Sequence, residues 1–242
     1  MKALRIKLRT YAIALLISVG FTTTSIAGSG DFAGIYGAFT GSAGGAQIDG
    51  RHVNQSSEIN EGQVGGVFPL AGYEVGFNLP IGPVFFLGAG HSWTKGGTVT
   101  LAEGNEEVAA GGSGGSGSGH AESEDNAASM TQFSLKASDL KEVYIMPSIS
   151  IYDNSAVYVK LGRTIADTEV TGDVTGVPGN LTGDLLGIGT IAMTDSGIFI
   201  KTEGTVTRFD DISITGVGQS SSAKIEGTPD MVAGTVAIGF KF

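Results

Sequence analysis

The chain has 242 residues, carries 14 Lys and Arg against 24 Asp and Glu, and has a formal net charge of −10. That acidity excludes a nucleic-acid binder, which needs a basic footprint, and the absence of Cys excludes stabilisation by disulfides. Forty Gly with only six Pro, among recurring apolar β-formers, do not fit a disordered chain.

The first element is a leader. Lys2, Arg5, Lys7 and Arg9 precede the apolar stretch IALLISVGF, and Ser25 and Ala27 supply the small residues of a cleavage site. This order predicts a signal peptide over 1–27, cut after Ala27, and a single domain over 28–242. A buried core helix does not account for that order, and the run is too short for a transmembrane helix. No Cys follows for lipid attachment. Removal leaves 242 − 27 = 215 residues with 14 − 4 = 10 basic groups against 24 acidic ones, a net charge of −14.

The remainder has no stretch of 18 apolar residues, so no helix is expected to span a membrane. What recurs is alternation with period two, the mark of strands with one apolar face. An exported membrane protein without helices must be a closed barrel, because every backbone polar group has to be paired internally.

Eight strands are expected in chain order. The first covers about 31–41 and is followed by a polar stretch through Glu61. The second, about 63–79, places Tyr73, Val75, Phe77 and Leu79 on one face and ends in the LPIGP turn. The third, about 84–101, aligns Phe85, Leu87, Ala89, His91 and Trp93, an apolar band capped by Trp93 as interfacial aromatic. A Gly/Ser-rich acidic loop over 103–131 comes next.

The fourth strand, about 138–152, sets Val143, Ile145, Pro147, Ile149 and Ile151 against Glu142, Tyr144, Met146, Ser148 and Ser150. Pro147 lacks an amide and implies a bulge or a local break in the ladder. After the YDNSA turn, the fifth strand opposes Val157, Val159 and Leu161 to Tyr158 and Lys160. A loop over about 167–180 leads to the sixth, LTGDLLGIGTIAMT, whose facing the pattern leaves open. TDSG turns it into the seventh, with Ile198, Ile200 and Val206 on one side and Phe199, Lys201 and Glu203 on the other. A polar loop over about 211–229 precedes MVAGTVAIGFKF.

Connections therefore alternate long and short, as in barrels with short periplasmic turns and longer extracellular loops. A water-soluble β-sandwich demands no such alternation. The fold class is all-β: a closed antiparallel transmembrane β-barrel of eight strands, with ten as the alternative if the 103–137 region adds a hairpin.

Three stretches give this plan a family likeness. AVYVKLGRT, IKTEGTVTRFDDI and the closing AIGFKF resemble the fifth strand, the seventh strand and the C-terminal signal of small OmpA-type and related outer-membrane β-barrels of Gram-negative bacteria. The resemblance implies an outer-membrane location reached through the periplasm, with outer-membrane lipids as surroundings. It also implies that Phe242, Phe240, Ile238 and Val236 form an address for the outer-membrane assembly machinery. No peptidoglycan-binding domain is expected after the barrel, so the tethering role of two-domain relatives is not carried over.

Glu142, Lys160, Lys201 and Glu203 fall on lumen positions. An eight-stranded barrel has room for little beyond side chains, and charges there must pair. A lumen charge network that plugs the interior is the first reading, and a narrow gated pore is the second. Catalysis lacks a constellation: His52 and His120 fall in predicted loops, His91 on an outward face, and Asp210 and Asp211 diverge as neighbours on a strand. His120, Glu122, Glu124 and Asp125 form an acidic loop cluster without the spacing of a calcium loop. Gly112, Gly114 and Gly117 spell GxGxxG inside a low-complexity run, where the match carries no dinucleotide-binding meaning. No catalytic, cofactor or metal site is expected. The expectation is a monomeric structural or surface-interaction barrel with a plugged interior, whose loops meet an unidentified extracellular ligand. The alternative is a small porin or channel for ions or small solutes, and a barrel enzyme is the remote third.

Overall fold

The computed structural model describes residues 28–53, 59–108, 129–171, 179–215 and 224–242. The predicted leader, Gly112, Gly114, Gly117, His120, Glu122, Glu124 and Asp125 lie outside the described residues. A short 3-10 turn, Ser29–Phe32, precedes β1 (Gly34–Val53), β2 (Ile59–Pro80), β3 (Phe85–Val108), β4 (Ser129–Tyr152) and β5 (Ser155–Thr171). Then follow β6 (Asn180–Met193), β7 (Ile198–Phe209), β8 (Ile212–Thr215) and β9 (Lys224–Lys241).

Every neighbouring pair is antiparallel, and β1 pairs with β9, so the sheet closes. β8 continues the line of β7 after a break at Asp210 and Asp211 and pairs with the same β9. The wall therefore has eight staves, and the ten-stave alternative is set aside. Following direct partners from Tyr36 leads through Gly76, Gly90, Tyr144, Gly162, Leu185, Thr207 and Met231 to Ala46. The sheet thus returns to β1 displaced by 46 − 36 = 10 residues. A stagger of that size tilts eight strands by about 40°.

The short connections are tight. Gly82 (φ 100°) and Gly197 (φ 86°) sit in two of them, in the left-handed region that glycine enters without strain. Pro147 interrupts the ladder as its missing amide requires. Ser150 donates to Val84, so even residues of β4 turn to β3 and Pro147 turns to β5. The β4–β5 pairing accordingly skips from Ile145↔Leu161 to Ser148↔Tyr158 and resumes in the same register.

Several expected boundaries are corrected. β1 runs to Val53 instead of ending near 41, so His52 stands in a strand, in register with Asn60, and not in a loop. β3 continues to Val108 and β4 begins at Ser129, which removes both ends of the expected 103–131 loop. β5 reaches Thr171, and β8 with the start of β9 occupies part of the 211–229 stretch. Where their side chains are described, these upper segments set Ala46, Ile48, Val99, Leu135 and Ile214 inward and Ala43, Thr98 and Ser213 outward, and small outward residues mimic turn composition.

Outward positions fall into two zones. From the short-turn end upward they are mostly apolar, with Leu79, Phe85, Ile149, Ile200, Ile238 and Phe240 exposed and a Thr190–Thr202 hydroxyl pair among them. Above that band comes a ring of charge, with Lys141 bridging Asp167 at 3.5 Å and Arg163 reaching Asp184 at 3.3 Å and Asp210 at 3.5 Å. On β7 the apolar zone runs from Ile198 to Val206 before Arg208, about the strand length that spans a hydrocarbon layer. Inside and above the ring lies an apolar cluster that includes Phe68, Leu70, Val99, Leu101, Leu140 and Phe209.

Ile188 on β6 is 47% exposed, in the middle of the outward run from Ala192 to Asp184. Ile188→Arg should destabilise protein refolded into lipid vesicles by about 2–4 kcal/mol. The drop in urea midpoint measures it, and an unchanged midpoint would remove the band from the hydrocarbon layer.

Candidate functional site: the interior charge girdle

The tilted staves bring inward positions of β2, β4, β5 and β7 to one level of the barrel. Lys160 on β5 donates to Glu142 Oε2 on β4 and to Glu203 Oε1 on β7, both at 2.8 Å. Lys201, also on β7, reaches both carboxylate oxygens of Glu74 on β2 at 2.7 Å. The four residues expected in the lumen thus enter one layer, and their alternation with outward Val143, Val159 and Ile200 is what aims them inward.

Glu74 is not among those four: it sits between Tyr73 and Val75, outward residues that draw attention to the other face. Tyrosines join it, Tyr144 and Tyr158 from the lumen alternation already expected on β4 and β5 and Tyr36 from β1. Tyr158 donates to Glu203 Oε2 at 2.9 Å, Tyr144 to Glu74 Oε2 at 3.2 Å, and Tyr36 meets Tyr144 hydroxyl to hydroxyl at 3.2 Å. Ser92 donates to Glu142 Oε2 at 2.8 Å. Lys160 Nζ also stands 4.3 Å from the centre of the Tyr144 ring, where the negative face of the aromatic favours a cation. Their signal in the sequence is a Tyr in step with the inward charges of its strand, two residues from Glu142 in β4 and from Lys160 in β5.

Each of these tyrosines has a glycine opposite: Tyr36 faces Gly76, Tyr144 faces Gly90 and Tyr158 faces Gly189. A Cβ on any of these glycines would collide with the tyrosine ring beside it. Each ring therefore lies across the bare backbone of the next stave, which carries its hydroxyl toward the carboxylates. Three carboxylates and two ammonium groups make the layer −1, and its other polar contacts come from hydroxyl donors.

The layer lies between two apolar clusters. Above is the apolar cluster already described, and below is a second one with Phe86, Met146, Ile191, Met193 and Phe199. The lower mouth is stopped by the Ser29–Phe32 turn. Phe32 stacks on Phe86 with centroids 4.9 Å apart, and Asn78 Nδ2 donates to the Phe32 carbonyl at 3.1 Å. Lys160 and Lys201 are 1% and 2% exposed.

The other sequence candidates lie elsewhere. Trp93 is outward on β3 at the top of the apolar band, edge-on to Tyr73 at 5.6 Å. His91 is outward beside it, with Nδ1 2.8 Å from the Glu142 carbonyl. Asp210 and Asp211 are exposed at the β7–β8 break, Asp211 accepting from Thr228. Val236, Ile238 and Phe240 are exposed on β9, and Phe242 follows it, its amide bonded to the Ile35 carbonyl at 2.9 Å. Among the described residues no group of three or more His, Cys, Asp or Glu is placed to hold a metal ion.

The architecture is that of a closed eight-stave β-barrel whose interior is occupied by paired side chains. No protein family and no curated protein matches the chain. Among solved structures it is similar to the outer membrane protein OprG from Pseudomonas aeruginosa, with TM-score 0.47, 9% identity, and 87% of this chain and 96% of that one covered. It is also similar to the outer membrane protease OmpT from Escherichia coli, with TM-score 0.42, 10% identity and coverage of 86% and 97%. Ail, the attachment invasion locus protein of Yersinia pestis, gives TM-score 0.36, 12% identity and coverage of 84% and 99%. Likenesses of this size carry neither site nor activity, and the barrel assignment rests on the chain's own register.

Removing one partner of a buried pair strands the other charge. Lys160→Met, which leaves Glu142 and Glu203 without their shared cation, should cost about 3–5 kcal/mol in a urea titration, and Lys201→Met with Glu74→Met together should cost much less than Lys201→Met alone. Gly189→Val should cost about 1–3 kcal/mol by pushing Tyr158 off Glu203. The same titration reads it, and a neutral result would show that the ring has room to move.

Proposed function

We propose that the chain is an outer-membrane barrel, exported by its leader, whose closed interior gives it a structural or surface-interaction role. The observation that carries this is the enclosure of Lys160 and Lys201: each ammonium is held by carboxylates within 2.8 Å and is shut from solvent. An ion crossing the girdle would have to break those buried pairs and leave their charges without partners, a large barrier. The apolar band supplies the membrane anchor, and the strands beyond the charged ring supply the surface that meets the exterior. The terminal Phe242, Phe240, Ile238 and Val236 serve as the address for insertion, outer-membrane lipid and the assembly machinery being the partners.

Purified protein refolded from urea should be silent in a planar lipid bilayer while migrating differently on a gel before and after boiling. Steady conductance altered by Glu203→Gln would replace the plug with a channel. Deletion of Phe242 should lower the yield of inserted protein in cells several-fold while leaving refolding in detergent intact, and equal loss in both would reduce the residue to a structural one.

A further inference from the structure

The wall has a seam above its charged ring. The β2–β3 ladder runs from Pro80↔Phe86 to Gly72↔Thr94 and stops there, although both strands continue. Two features of the sequence stop it. Ile81 donates to Phe85, so odd residues along β2 turn their backbone groups to β3, and Pro69 stands where such a donor would be needed. Opposite, β3 bulges over Lys95–Gly97, where its register against β4 shifts between Thr94 and Thr98. Leu70 fills the gap, its Cδ2 occupying the place of a Cβ on Gly97. Among the described residues no β2–β3 pair continues past Gly72↔Thr94, and Leu70 stands where the seam would widen.

The seam joins two apolar regions. Behind Leu70 lie Phe68, Val99 and Leu101 of the upper interior cluster. In front, Val67 is 92% exposed and Phe39 81%, continuing the outer band upward along β1 and β2. The mouth holds a cation and a spare donor: Lys95 Nζ is 5.6 Å from the Trp93 ring centre, and the buried Trp93 Nε1 has no hydrogen-bond partner among the described residues. Docking of another strand on this edge is disfavoured, because a proline and a bulge blunt it.

We propose that the seam binds a single-chain anionic amphiphile, a long-chain fatty carboxylate. The tail displaces Leu70 and lies in the upper apolar layer, and the carboxylate pairs with Lys95 and accepts from Trp93 Nε1. The apolar band leads to the mouth, so the site draws on the membrane-embedded reading but not on whether the girdle conducts.

Trp93 is the chain's single Trp, which makes it a built-in reporter. Refolded protein in nanodiscs is titrated with dibromostearate while Trp93 fluorescence is followed. Saturable quenching that oleate reverses is expected, with Lys95→Glu weakening it about tenfold or more, a typical loss for a charge-assisted contact. Arg208→Glu, the same charge change on the far stave β7, should leave the midpoint where it was. Quenching that rises without saturation, or falls equally in both variants, would reduce the effect to partitioning and overturn the site. Heat-shifted migration of each variant separates a misfolded barrel from a lost ligand, and Lys95→Gln replaces Lys95→Glu if the latter fails that check. A diazirine-bearing stearate locates the tail: label in 66–71 and 94–101 supports the site, and label spread evenly round the band overturns it.

Discussion

A sheet with no edge in the hydrocarbon layer has to come back to its own first strand, and the displacement with which it returns dictates what its interior can hold. Here the return is ten residues along β1. That stagger tilts the staves, and the tilt brings residues from β2, β4, β5 and β7 to a common level. Closure is thus the prior condition of the charge girdle: Glu74 and Lys201 are far apart in sequence and on staves that are not neighbours, yet they meet at 2.7 Å. In a flat sheet these two side chains would be strangers.

The girdle and the glycines solve one problem together. A narrow cylinder must be filled without voids, but filling it with charge requires donors at fixed places. Bare backbone at Gly76, Gly90 and Gly189 lets tyrosine rings lie flat against the wall. The rings supply apolar volume, and their hydroxyls supply donors. Glycine, which weakens a strand when judged by propensity alone, is here the space that makes the polar core satisfiable.

How much of this could be read in the sequence depended on which face carried the signal. The membrane-level parts of β3, β4, β5, β7 and β9 were legible because their outward residues are large and apolar, and Glu142, Lys160, Lys201 and Glu203 followed as their inward alternates. Above the charged ring the rule inverts, with Phe68, Leu70, Leu101 and Leu135 inside and, Val67 apart, small or polar residues such as Ala43, Thr98 and Ser213 outside. Outward apolar faces are absent there, which is why the pattern alone makes β1, β2, β3 and β4 shorter than they are. Glu74 escaped for a related reason, as a lone acid amid a strongly apolar outer face. The seam was beyond reach altogether, since a proline in one strand and a bulge in the next act together only once the register is known.

The turn at Ser29–Phe32 adds an order of events. Its ring fills the lower mouth, but its backbone is fastened at two places: the Ser29 amide bonds the Pro83 carbonyl in the β2–β3 turn, and Lys241 of the closing strand donates to the Asp31 carbonyl at 2.6 Å. The second fastening does not exist until β9 has come home against β1. The stopper can seat fully only in a finished cylinder, so the first described residues of the chain complete their contacts last.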